Sequence, residues 1–206
     1  AESVAEDAGA SEVAEVLAHF GVERYLDTYD GRFLRGSRQG GPSFLGRRSV
    51  FAHAVHCEDG ELHRLAETGS SVAHCPISQL FLGSGTMPWG RVTGAGVGLG
   101  VGRDVGAGDS FSIPAVLGAA HKVHASAAVA ARYHLHPAEL LHLATLGGAR
   151  ALALDDRVGN FDAGKEADFV VVDPAGVPGM SGLLAAAASR GSEALLFALL
   201  TTLGAG

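Results

Sequence analysis

Cysteine is scarce in this chain. Two thiols, Cys57 and Cys75, stand in 206 residues. That is too few for a disulfide framework and points to a reducing compartment, the cytoplasm. With His56 and His74 beside them, their spacing still fits none of the usual zinc-finger patterns. Aromatics make up only 6% of the chain and no basic stripe carries them. At a formal net charge of −7 the chain has no electrostatic footprint for nucleic acid. A secretory leader begins basic and turns apolar, whereas the first residues here are acidic. Long apolar runs are missing too. The most apolar late stretch, residues 183–203, is broken by Ser189, Arg190, Gly191 and Glu193, which excludes it as a membrane span. No internal repeat of about 20 to 50 residues is present.

What remains is a chain that can bury a core, 47% hydrophobic and 18% charged. Its length suits one domain, or one and part of another. Short apolar runs bounded by turn signals predict buried strands at residues 49–55, 71–75 and 97–104. Between the first two lies an amphipathic helix, residues 58–67, with Leu62 and Leu65 facing in and Gly69 ending it. This alternation predicts an α/β fold built from βα units on a parallel sheet. Ser11 is the expected N-cap of a helix reaching Phe20. Residues 25–34 read as a short helix or loop, 35–48 as a surface loop, and 80–96 as a loop with one helical turn. Residues 112–132, 137–146, 148–154 and 192–203 read as helices. Residues 158–173 read as a turn followed by a β-rich strand, the entry to a different, β-type layer.

Three expected strands carry a polar residue at or near the end: His53, His74 and Asp104. Such groups are costly inside apolar strands unless they have partners. His74 reads as a hydrogen-bonded core histidine. His53 and Asp104 read as one shared site, because a neutral imidazole and a carboxylate both suit a divalent metal or proton transfer. Asp104 has a second reading as the cap of the glycine-rich turn behind it. A catalytic zinc takes three protein ligands, so this pair alone falls short. His121 and His124, three apart on one helix, read as residues of a packed or solvated face, and His134, His136 and His142 as equally structural.

Four blocks resemble one family. They are F-A-H-x-x-H (51–56), V-A-H-C-P-x-S-x-L-F-L-G-S-G (72–85), G-x-D-V-G-x-G-x-S-F-S (102–112) and G-x-F-x-x-G-K-E-A-D-F-V-V-x-D (159–173). Together they resemble the guanine deaminases of the amidohydrolase superfamily. The resemblance implies a partial (β/α)8 barrel over residues 1–154, about strands 6–8 with their following helices. Residues 155–206 would then be a truncated return segment toward a small β-sandwich. A full barrel needs roughly 250 residues, so the resemblance implies the C-terminal part of an enzyme. It implies zinc-dependent hydrolysis of guanine to xanthine and ammonia, with one zinc per complete site and a homodimer at full length. Asp104 would bind the metal, take a proton from the attacking water and contact substrate. His53 would contact substrate and support attack. Glu2 would shuttle protons, its Ala1-Glu2 matching the end of the family's H-x-x-E. Three residues depart from the family pattern: Arg103 for a small hydroxyl residue, Gln79 for Asn and Asp109 for Thr. If Asp104 faces the barrel interior, strand alternation turns Arg103 toward the helices, where an unpaired charge is expensive. Two competing readings stand beside this one. One is a related amidohydrolase acting on another aminated or halogenated heterocycle. The other is a catalytically inactive fragment whose exposed barrel edges pair with another chain.

Overall fold

A computed structural model describes residues 10–31, 42–126 and 133–203. Helix α1 (Ala10–Phe20) begins one residue before the expected cap, Ser11. A single 3-10 turn, Leu26–Thr28, follows. Strand β1 (Val50–Ala52) then leads into α2 (Asp59–Thr68). This helix opens with a capping box, in which the Glu61 carboxylate accepts from the Glu58 N–H at 2.9 Å. Leu62 and Leu65 are fully buried, as their spacing predicts. Gly69 closes the helix in the left-handed conformation, φ 70°, which glycine adopts without steric cost.

Strand β2 (Ser71–His74) pairs in parallel with β1, placing Ala52 opposite Ala73. Beyond it the sequence reading and the structure differ. Residues 76–94 hold two helices, α3 (Pro76–Leu82) and α4 (Trp89–Gly94). Pro76 ends the strand but also serves as the first residue of a helix, where its missing N–H costs nothing. Helices of 7 and 6 residues are too short to print a clear period. Strand β3 (Gly98–Val101) then pairs in parallel with β2, giving the order β1-β2-β3. Right-handed crossovers between strands laid down in this order put their helices on one face.

That face holds the core. Phe51, Val72, Leu99 and Val101 of the strands pack with Leu62, Leu65, Met87 and Val92. Leu117 comes from α5 (Ile113–Ala125), and Leu140 and Leu143 from α6 (Pro137–Ala144). The Ser112 hydroxyl caps α5 by accepting from the Ala115 N–H at 3.3 Å. Chain direction breaks at Thr145 (φ −125°, ψ −98°), and α7 (Leu146–Ala151) turns onto the opposite face of the sheet. Small residues receive it there. A Cβ at Gly100 would lie 3.1 Å from the Cα of Gly148. The late apolar stretch forms α8 (Met180–Ala188) and α9 (Ser192–Thr202), separated at the polar break read from sequence. Helix α9 lies against α5 so closely that a Cβ at Gly118 would meet the Thr201 carbonyl at 2.9 Å. No helix among the described residues is long and apolar enough to cross a membrane.

Residues 158–173 only partly match their reading. The turn is present, with Gly159 and Gly164 at φ 102° and 90°. The strand is not, because the run 169–172 has no ladder partner among the described residues. Phe169, Val170, Val171 and Val172 are all exposed. β-propensity needs a neighbouring edge to become a strand.

His74 is a core histidine, and its partner is His124 of α5. Both rings are fully buried, with the two Nε2 atoms 3.1 Å apart, one donating and one accepting. The indole of Trp89 packs against both rings. Burial, aided by its histidine neighbours, pushes His74 down to about 3; burial pushes His124 down to about 4. An unfolded histidine titrates near 6.5, so below that pH the unfolded chain binds protons that the folded chain refuses. Stability is therefore full above about pH 6.5 and is lost as pH falls toward the folded values. The slope is of order 1 kcal/mol per pH unit for each histidine. Urea unfolding at pH 7 and pH 5 tests this. His124→Phe should roughly halve the loss, and an unchanged loss would contradict the assignment.

Candidate functional site

The site forms where the β1–β2–β3 ladder runs on past its strands. The His53 N–H donates to the Ala73 carbonyl at 3.0 Å, and the Gly102 N–H to the His74 carbonyl at 2.9 Å. Beyond these bonds both edges turn left-handed, with His53 at φ 75°, Ala54 at 51° and Asp104 at 51°. Ala153 is the one other non-glycine residue at positive φ among those described. L-residues pay roughly 1–2 kcal/mol for this conformation, and such strain gathers at functional sites. Here it brings His53 Nε2 to 3.5 Å from Asp104 Oδ2, with each side chain about one-third exposed. The two residues singled out from strand ends therefore meet, each partly open to solvent.

At Asp104 the glycine-rich turn is held by the main chain. The Asp104 backbone carbonyl, rather than its carboxylate, holds the turn, accepting from Ala107 N at 3.1 Å and Gly108 N at 2.8 Å. Gly108 has no room for a side chain, since a Cβ there would lie 2.8 Å from the Arg103 carbonyl. The carboxylate is thus left to face His53. Cys75 is buried nearby, and a Cβ at Gly102 would meet its Sγ at 2.9 Å. Burial, then the charge of Asp104, pushes the Cys75 thiol up to about 11. It stays protonated at neutral pH, where a thiol is a weak nucleophile.

Arg103 departs from its expected place. It is exposed, donates to the Phe111 carbonyl at 2.5 Å and lies over the Phe111 ring, 5.9 Å from its centroid. β3 ends at Val101, so strand alternation no longer decides where Arg103 points. Asp109 is exposed on the same loop. Glu2 lies outside the described residues. His121 and His136 are structural: His121 packs on the Phe197 ring at 4.7 Å, and His136 caps α6 by accepting from Ala138 N at 3.2 Å. Sequence reasoning did not find the cavity of about 280 Å3 that opens beside His53, lined among others by Tyr25, Tyr29, Phe51 and Glu61. Its walls come from residues 25–29, 51–65 and 84, segments distant in sequence whose packing no local pattern announces.

As a metal centre the described residues are incomplete. No three of His, Cys, Asp and Glu gather among them. His53 and Asp104 offer two donors, and a catalytic zinc takes three protein ligands.

Residues 5–197 match the Amidohydrolase family. The chain belongs to the amidohydrolase family. It is 47% identical over 154 residues to guanine deaminase of Escherichia coli (strain K12), covering 75% of this chain and 32% of that protein. Its fold is similar to the solved E. coli guanine deaminase, with TM-score 0.68 and 42% identity, over 78% of this chain and 36% of that one. It is also similar to a zinc-bound adenosine deaminase from Xanthomonas campestris, with TM-score 0.63 and 34% identity, over 82% of this chain and 36% of that one. The chain thus spans about a third of the length of these relatives. Metal analysis of the dialysed 206-residue chain should find far less than one zinc per chain. One tightly held zinc per chain would show that the ligand count here is wrong.

Proposed function

We propose that this chain is the C-terminal part of a guanine deaminase, hydrolysing guanine to xanthine and ammonia once the rest of the active site is present. The observation that carries the proposal is the approach of His53 to Asp104 at 3.5 Å on adjoining ends of one parallel sheet. Ligands of open α/β sheets and barrels bind at such carboxyl ends. Sequence likeness to a guanine deaminase supports the substrate.

In this reading water attacks the ring carbon that bears the amino group. The Asp104 carboxylate takes the proton released by that water. His53, fixed by its backbone and facing Asp104, hydrogen-bonds the developing tetrahedral centre. Glu2 carries protons to the ring nitrogen and the departing amine. Zinc is the cofactor of the complete site, and Asp104 supplies one of its ligands. The other ligands come from outside the described residues. Three parallel strands in sequential order, with their crossover helices on one face, support a partial barrel, strands 6–8, over residues 1–154. The exposed apolar run 169–172 supports a return segment over 155–206 that belongs against a β-sandwich. The enzyme is cytoplasmic and, when complete, a homodimer.

A chimera tests the proposal: E. coli guanine deaminase in which the segment aligned with this chain is replaced by this chain's own matching 154 residues. It should release xanthine from guanine. Asp104→Asn should lower kcat/KM by about a thousandfold and His53→Asn by about a hundredfold or more. The 206 residues alone should show no turnover. A chimera that turned over adenosine and left guanine untouched would move the reading to the adenosine deaminase relative, and full activity in Asp104→Asn would remove Asp104 from the chemistry.

A further inference from the structure

We infer that Gln79 is a positioning residue for His53; the inference rests on the proposed role of His53. His53 can face Asp104 only because its backbone and that of Ala54 turn left-handed. Backbone held in such a conformation persists only where its surroundings over-determine it. Two backbone bonds help, His53 N to Ala73 O at 3.0 Å and Ala54 N to Ala52 O at 2.9 Å. Both lie at or before the strained peptide. Its carbonyl, the His53 oxygen, is held by a side chain: Gln79 Nε2 donates to it at 3.4 Å.

Gln79 is well placed for this. It is 2% exposed and sits in the first turn of α3, which is locked to the end of β2. Pro76 starts the helix, the Ser78 hydroxyl donates to the Cys75 carbonyl at 3.0 Å, and the Gln79 N–H donates to the same carbonyl at 3.2 Å. The other end of the amide, Oε1, is buried without a hydrogen bond among the described residues. Turning the amide over would set its oxygen against the His53 carbonyl, so only one orientation gives that carbonyl a donor. A buried unpaired oxygen is unfavourable, and the side chain retains it while its nitrogen grips His53. The length also matters. Asn, which the family resemblance leads one to expect at this position, is one methylene shorter and would leave the His53 carbonyl out of reach.

Nuclear magnetic resonance on the 206-residue chain tests this without substrate, so its outcome and that of the deaminase assay are independent. In the wild-type chain the Gln79 side-chain amide should show a cross-peak to the Ala54 N–H. In Gln79→Leu the His53 amide should exchange about tenfold faster, while the Val72 amide is unchanged. The His53 ring resonances should also move toward those of Asp104→Asn, a signature that loss of stability alone would not give. If Gln79→Leu does not fold, the wild-type cross-peak decides. No such cross-peak, or a folded Gln79→Leu with unmoved His53 exchange and ring resonances, would overturn the inference.

Discussion

Two hydrogen bonds beyond the ends of regular strands govern the geometry of the site. The His53 N–H binds the Ala73 carbonyl and the Gly102 N–H binds the His74 carbonyl, so the ladder that pairs β1, β2 and β3 continues one step further. Because the pairing is parallel, all three strands leave the sheet at the same end. A slip of one residue would turn every side chain to the other face and separate the pair. The left-handed turns at His53 and Asp104 then exploit that register, aiming an imidazole and a carboxylate at each other across β2.

The two faces of the sheet do different jobs. One is apolar and carries most of the burial, with Val72, Leu62, Leu65, Met87 and Leu117 almost wholly removed from water. The buried His74–His124 contact belongs to this face and ties α5 to β2. As α5 follows the Asp104 loop, that tie also limits where the loop can go. The other face is made of small residues, and α7 approaches it at Gly100. Surface ion pairs such as Arg64–Asp30 and Arg91–Asp59 contribute little beside these, since exposed pairs are worth about 0–1 kcal/mol.

Much of this was legible in the sequence because local signals agreed with long-range ones. The strands at 49–55, 71–75 and 97–104 and the helix ended by Gly69 are all present, although each strand is shorter than its apolar run. His53 and Asp104 stood out because a polar group at the end of an apolar strand needs a reason. What failed to show has physical causes. α3 and α4, at 7 and 6 residues, each span fewer than two full turns, too few for an apolar period to repeat. The break between α6 and α7 falls at Thr145, two residues before the one read from sequence, because the backbone there leaves the helical region. Arg103 lies past the strand, where the alternation used to orient it no longer applies. The His74–His124 contact joins residues 50 apart, which spacing alone cannot reveal. The run 169–172 has strand composition, but composition cannot supply the neighbour that a strand requires.

The claim on which the rest stands is that His53 and Asp104 face each other across the end of β2. A nuclear Overhauser measurement between the His53 ring Hε1 and the Asp104 β-protons tests it directly. A clear cross-peak, alongside those of the β1–β2–β3 ladder, is the expected result. An intact ladder without that cross-peak would mean the two side chains point apart, and the site would not exist as described.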